Sequence, residues 1–145
     1  MFEVEITPDA VIALLMATAS PKLVSVLDWT VQVALSDLEN RLGSNSAIGR
    51  ALERWPRSVG AGGRVFVGVK EMLHRRVLAG DLVIEGAGAQ AAYRATPGFA
   101  NDMRKVVRLL RRDQRLALQR STQRLIACFS TLSKNSPFTA TTPQL

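Results

Sequence analysis

The chain has 145 residues, of which 47% are hydrophobic, so it is long enough for one domain and too apolar to be disordered throughout. Its longest apolar run, residues 11–17, is far shorter than the roughly 20 residues that cross a bilayer, and its acidic start does not resemble a secretion signal. The single cysteine, Cys128, excludes an intrachain disulfide, and we therefore expect a cytoplasmic protein.

The net charge of +7 is distributed unevenly along the chain. Residues 1–50 hold three basic and six acidic residues, whereas residues 51–145 hold 16 basic and six acidic residues. Such an asymmetry predicts a polyanionic partner, which is most often a nucleic acid. The basic residues are mainly arginine, whose guanidinium group suits bidentate contacts with phosphates and bases.

The N-terminal third predicts two helices. Residues 1–6 alternate apolar and acidic side chains, as a short edge strand does. Thr7-Pro8-Asp9 then offers a capping hydroxyl, a proline at the first helical position and an acid in the first turn, so a helix should run to about Ala19. Ser20-Pro21 repeats this signal and predicts a second helix that ends at Gly43.

Apolar residues follow this second helix at helical spacing, although residues 29–35 also alternate with the period of a strand. A further stripe of Val26, Trp29 and Val33 predicts that the helix is covered on two sides, either in the core or by a twin chain. The main stripe consists of Leu23, Leu27, Val31, Leu35, Leu38 and Leu42.

The middle of the chain predicts two further helices. Ser44-Asn45-Ser46 is a loop and cap before a short helix over residues 47–55 that ends at Pro56. Residues 57–63 are rich in glycine and predict a flexible turn. Residues 64–80 predict the next helix, with Gly80 at its end, although its β-branched start at residues 65–67 is also compatible with a strand.

Residues 81–99 contain Gly86-x-Gly88-x-x-Ala91, a spacing that cradles a dinucleotide pyrophosphate in other proteins. That site needs a helix that continues from the glycines and a later strand that ends in an acid. Here Pro97 interrupts the segment, and an arginine-rich stretch follows it. We therefore expect a hairpin instead, with strands at residues 82–84 and 92–95 joined by a glycine turn.

A long basic helix is predicted over residues 98–132, followed by a loose tail over residues 133–145. Together these elements predict one domain over residues 1–132. Between Arg104 and Arg124 the helix has eight basic residues and one acid, Asp113, so it repels itself unless an anion covers it. Its apolar face has a polar gap near Gln114 and Ser121.

Groups suited to catalysis are scarce in this sequence. His74 is the only histidine, Cys128 lies among apolar residues that favour an inert thiol, and the acids are scattered. We therefore expect neither a metal site nor a cofactor, and we expect that the protein is not an enzyme.

Residues 46–97 resemble the winged-helix DNA-binding superfamily. SAIGRALERW (46–55) is similar to the supporting helix, VKEMLHRRVLAGDLV (69–83) to the recognition helix that runs into a first wing strand, and AAYRATPGF (91–99) to the return strand. PRSVGAGG (56–63) is longer than the usual tight turn between the two helices. The resemblance implies a mainly α protein with a small β-hairpin, here with extra N-terminal helices and a long C-terminal basic helix.

Three groups of residues are then predicted to contact nucleic acid. Lys70, His74 and Arg75 lie on the polar side of the predicted recognition helix, with Arg64 at its entry, while Arg76 falls near the apolar stripe without explanation. In the wing, Gln90 and Arg94 are the candidates. The last helix contributes Arg104, Arg108, Arg111, Arg112 and Arg115.

The function predicted from these features is binding of double-stranded DNA by a transcriptional or nucleoid regulator. A homodimer is expected, in which the first two helices and the last bury apolar faces between subunits. The alternative is a non-catalytic subunit of a larger complex whose basic helix docks on an acidic protein or RNA.

Overall fold

Helix α1 (Pro8–Ala19) is the centre of packing in the computed structural model, which describes residues 5–60 and 63–134. The hydroxyl of Thr7 accepts a hydrogen bond from the Ala10 N–H at 3.1 Å, and Pro8 occupies the first turn, so the predicted helix start is confirmed. Residues 11–17 are all buried because other helices cover α1 on several sides. The predicted strand at residues 1–6 falls largely outside the described residues.

The segment after α1 forms a strand, so the prediction of a helix that opens at Ser20-Pro21 was wrong. Strand β1 (Val24–Ser25) pairs with a later strand, with Val24 opposite Tyr93. Helix α2 (Asp28–Arg41) begins only after it. Periodicity could not show this because the helical spacing of the leucines begins before the helix does. The strand alternative for residues 29–35 is wrong, because these residues are helical. The second apolar stripe was expected to be covered, but its Trp29 is 48% exposed.

Helix α3 (Ala47–Arg54) begins as predicted at Ser46, whose hydroxyl accepts a hydrogen bond from the Gly49 N–H at 2.9 Å. The Ile48 N–H, another donor without a partner inside the helix, is bound at 3.1 Å by the side-chain oxygen of Gln114. The start of α3 is therefore tied to the C-terminal part of the chain.

A hairpin replaces the predicted turn and the first part of the predicted helix over residues 64–80. Strands β2 (Arg57–Gly60) and β3 (Gly63–Phe66) pair antiparallel, so the strand alternative for residues 65–67 was the better one up to Phe66. The Gln32 side chain exchanges hydrogen bonds of 3.0 and 2.8 Å with the Phe66 backbone, and the Trp55 ring packs edge-on against Phe66 at 5.1 Å. These contacts fix the end of β3, and the β-branched Val65 in this strand has a high propensity for extended structure.

Helix α4 (Val69–Leu78) follows at once, because Gly68 turns the chain with a φ of 83°. Strands β4 (Leu82–Glu85) and β5 (Ala92–Ala95) then form the hairpin that the sequence predicts. Gly86 and Gly88 have φ values of 81° and 60°, so the two glycines serve the turn between these strands. With β1 the hairpin forms a three-stranded antiparallel sheet in the order β1-β5-β4.

The predicted single helix over residues 98–132 is two helices, α5 (Pro97–Leu109) and α6 (Arg112–Lys134). Leu110 leaves the helix with a ψ of 154°, which lets α5 pack along α1 while α6 packs on α2 as well as α1. No glycine or proline marks the break, so tertiary packing decides it. The first two residues of the predicted tail, Ser133 and Lys134, belong to α6, and its remainder from residue 135 lies outside the described residues.

The prediction of a mainly helical fold with a small antiparallel hairpin is thus confirmed at that level. Among the described helices, none combines the length and the apolar character needed to cross a membrane.

Candidate nucleic-acid interface

One side of α4 carries three of the predicted contact residues, which together we call the α4 surface. Lys70, His74 and Arg75 are all exposed, opposite the buried Val69 and Leu73. Within the described part of the chain their side chains form no hydrogen bond or ion pair, so they are accessible to a ligand. The acid Glu71 is exposed on the same helix, one turn before Arg75, and it was not part of the predicted site. It lowers the positive charge of this surface.

Arg76, which the sequence pattern left unexplained, forms an internal contact. Its guanidinium pairs with Asp9 at the start of α1 and with Asp81 before β4, the latter at 3.1 Å. It also lies over the ring of Phe99 in α5, 5.7 Å from the ring centroid. Arg76 therefore fixes the end of α4 to α1, to α5 and to the link before β4, and its charge is neutralised within the chain.

The charges of the β4–β5 hairpin are also largely neutralised. Arg94 on β5 forms an ion pair with Glu85 on β4, with guanidinium nitrogens 2.7 and 2.8 Å from one carboxylate oxygen. Gln90 is half-buried at the end of a short 3-10 turn (Gly88–Gln90). The hairpin thus has less free positive charge than its sequence suggests.

The prediction that Arg64 lies at the entry of the recognition helix was wrong, because Arg64 belongs to strand β3. Its backbone pairs with Val59 on the neighbouring strand. Its side chain lies outside the described part of the structure.

The last turns of α5 carry exposed cations with different surroundings. Arg104 donates hydrogen bonds to the Ser20 carbonyl at 3.1 Å and to the Asn101 side chain at 3.4 Å. Lys105 and Arg108 are exposed and form no such contact with any described residue. Lys105 was not among the predicted site residues, although it belongs to the same basic segment.

The link from α5 to α6 and the start of α6 continue this basic surface. Arg111 donates to the Asn45 carbonyl at 3.2 Å and pairs with Asp113 at 3.3 Å. Arg112 is exposed and Arg115 half-buried, and neither side chain pairs with a described residue. We call the unpaired set the basic corner, which comprises Lys105, Arg108, Arg112 and Arg115.

The break at Leu110 corrects the predicted geometry, in which Arg104, Arg108, Arg111 and Arg115 all belong to one continuous helix. Arg104 and Arg108 lie on α5, Arg111 lies in the link, and Arg115 lies on α6. The basic corner is therefore a bend between two helices. These residues therefore cannot lie on one straight helix that runs along a duplex.

Buried polar contacts hold α6 in place behind the basic corner. Gln114 is 4% exposed and reaches the Ile48 N–H of α3. The Ser121 hydroxyl donates to the Asp37 carboxylate of α2 at 2.9 Å. These two contacts explain the polar gap in the apolar face of the last helix, because each buried polar group has a partner on a neighbouring helix.

Asp37 joins α2 to α6 through the Ser121 hydroxyl and the Arg124 guanidinium. Burial raises the pKa of the Asp37 carboxyl, but hydrogen bonds from Arg41 and Ser121 and the charges of Arg41 and Arg124 outweigh it, so the pKa lies below its ordinary value of 3.8. Arg124 lies 3.4 Å from this carboxylate, so its charge, unlike those of the basic corner, has an acidic partner.

The end of α4 that carries Arg76 and the basic corner lie near opposite ends of α5. Arg76 contacts Phe99 in the first turn of α5, whereas the basic corner begins at the other end of that helix. With a rise of about 1.5 Å per residue, the ten residues from Phe99 to Leu109 span about 15 Å.

Among the described residues, no three His, Cys, Asp or Glu side chains are grouped so that they could hold a metal ion. Cys128 belongs to α6, but its side chain lies outside the described part of the structure. Comparison with protein-family models, with curated proteins and with solved structures found no match to this chain.

Proposed function

We propose that this protein binds double-stranded DNA and acts in transcriptional or nucleoid regulation. The observation that carries the proposal is the basic corner, whose cations have no acidic partner among the described residues. Like charges held close together repel one another unless a counter-charge is near. The phosphates of a duplex supply that counter-charge at short regular intervals, and their counterions are released on binding.

In this proposal α4 is the recognition helix and β4–β5 is the wing of a winged-helix arrangement. The exposed Lys70, His74 and Arg75 support this role, since a helix that enters the major groove presents such side chains to base edges and phosphates. The hairpin follows α4 directly, as the arrangement requires. The β2–β3 hairpin stands where a tight turn is usual, and it lies immediately before the helix.

The proposal includes a homodimer, but its contact surface has to differ from the one that the sequence predicted. The apolar faces of α1 and α2 are buried within one chain, against α6 and other elements. A twin chain would therefore use side chains that remain exposed. A mass equal to one chain at every concentration in sedimentation equilibrium would exclude the dimer.

A second candidate function is that of a non-catalytic subunit that docks on an acidic protein or RNA. It is favoured by Trp29 and Val67, which are 48% and 45% exposed although they flank the Gln32–Phe66 contact. Aromatic residues are enriched in protein interfaces.

Fluorescence anisotropy with a labelled mixed-sequence duplex tests the main proposal. We expect binding at low salt, with the logarithm of the association constant falling linearly with the logarithm of salt concentration. The same titration with an RNA duplex and with polyglutamate separates the candidates. No binding to DNA at the lowest salt would exclude the main proposal, and tighter binding to RNA or polyglutamate would favour the second.

A further inference from the structure

Leu109 at the end of α5 is an apolar side chain that is 87% exposed, and its neighbours in sequence are the cations of the basic corner. We propose that Leu109 is a wedge that enters the minor groove and unstacks a base step, so that the protein bends DNA at the basic corner. This inference rests on the proposed DNA binding and specifies how the duplex is held.

The neighbours of Leu109 hold it in an outward position. Val107 and Leu110 pack against the core on either side of it, and Leu110 is the residue at which the helix ends. Beyond the link, Arg111 is bound to the Asn45 carbonyl, and Gln114 is bound to α3. A side chain held between such fixed points is preorganised for insertion, because little conformational freedom is lost on binding.

The charges around Leu109 identify the partner. Lys105 lies one turn before it, Arg108 precedes it, and Arg112 follows three residues later, all exposed and without a partner among the described residues. Proteins that kink DNA insert an apolar side chain between bases while nearby cations contact the phosphates. A leucine cannot bind a phosphate oxygen, so its contact in this cationic surface has to be with the bases.

The position of the wedge also suits the distance between the two surfaces. Phe99, which Arg76 near the end of α4 contacts, lies about 15 Å from Leu109 along α5. A duplex that bends at the basic corner can follow the protein surface toward α4. Its additional contacts with α4 then offset the free-energy cost of unstacking one base step.

The test compares Leu109→Ala with the wild-type protein on a duplex of about 30 base pairs that carries a fluorophore at each end. We expect the wild type to shorten the end-to-end distance measured by energy transfer, and Leu109→Ala to bind within about tenfold of wild-type affinity while leaving the duplex straight. Leu109→Met should retain the bend. Val59→Ala is the matched control, because Val59 is 86% exposed on β2, outside both α4 and the basic corner. It should bend DNA as the wild type does.

The outcomes separate the wedge from DNA binding itself. If the wild type binds no duplex, the proposed function is wrong and the wedge with it. If the wild type binds without bending, or if Leu109→Ala bends DNA as well as the wild type, the wedge is wrong while DNA binding stands. If the wild type is a dimer and Leu109→Ala is a monomer that bends DNA to the same extent, Leu109 belongs to a protein interface instead. Circular dichroism verifies that each variant is folded.

Discussion

The α4 surface and the basic corner are both rich in arginine, but they use it differently. Around α4 and its hairpin, Arg76 is paired with Asp9 and Asp81, Arg94 is paired with Glu85, and Glu71 lies among the exposed cations. At the basic corner, four cations have no acidic partner among the described residues. The first region thus combines arginines that hold the fold with a few free cations, whereas the second presents free positive charge.

This difference shows why a count of basic residues does not locate a binding surface. Arg76 and Arg108 contribute equally to the net charge, but Arg76 lies between two carboxylates and Arg108 faces solvent. An arginine whose charge is already compensated gains less from a phosphate than one whose charge is free. The proposal therefore assigns affinity to the basic corner and sequence preference to α4.

Neutralising the basic corner should produce the largest change in affinity for DNA. We expect the triple variant Lys105→Gln, Arg108→Gln, Arg112→Gln to weaken binding to every duplex by about a thousandfold, because charge-assisted contacts are each worth about 1.5 kcal/mol. The slope of the salt dependence should fall by about three. Anisotropy titrations over a salt series measure both quantities.

The matched control is the triple variant Lys70→Gln, His74→Gln, Arg75→Gln on α4, which also removes exposed groups that have no described partner. It should change the ranking of a panel of duplex sequences more than the mean affinity, because base contacts carry specificity. Equal losses on all sequences from both variants would contradict the division of roles between the two regions.

A substitution at Arg76 should affect folding rather than phosphate binding. Arg76→Ala leaves Asp9 and Asp81 without their cation and removes the contact with Phe99, so we expect a loss of about 2 kcal/mol in the free energy of unfolding. Urea denaturation measures it. Arg108→Ala is the control and should leave the urea midpoint unchanged, because the Arg108 side chain is exposed and unpaired within the described chain. A midpoint for Arg76→Ala equal to that of the wild type would show that the cluster does not stabilise the fold.

Local signals in the sequence predict those elements whose ends carry specific chemistry. Thr7 and Ser46 cap α1 and α3 as expected, and the glycines after Glu85 form the turn of the predicted hairpin. These features depend on a few adjacent residues, so they can be read without knowledge of the rest of the chain.

Elements that depend on distant partners could not be predicted in the same way. Strand β1 exists because Val24 pairs with Tyr93, and β3 is fixed by Gln32, more than thirty residues earlier. The break at Leu110 carries neither glycine nor proline, the residues that most often mark the end of a helix in a sequence. The candidate site was affected likewise, since the acidic partners of Arg76 and Arg94 are known only once the chain is folded.

The smallest expected effect concerns the far part of α6, where Arg124 has an acidic partner and therefore contrasts with the basic corner. The pKa of Asp37 is lowered in the folded protein, so its stabilising contribution is complete above its ordinary value of 3.8 and is lost as the pH falls through the lower folded value. In Asp37→Asn this acid-dependent loss should disappear, whereas Ser121→Ala should give an intermediate response, because one of the hydrogen bonds that lower the pKa is removed. Urea midpoints measured between about pH 2 and pH 6 test both variants. If Asp37→Asn lost stability with acid as steeply as the wild type, the carboxylate would not be the group that ties α6 to α2 through its charge.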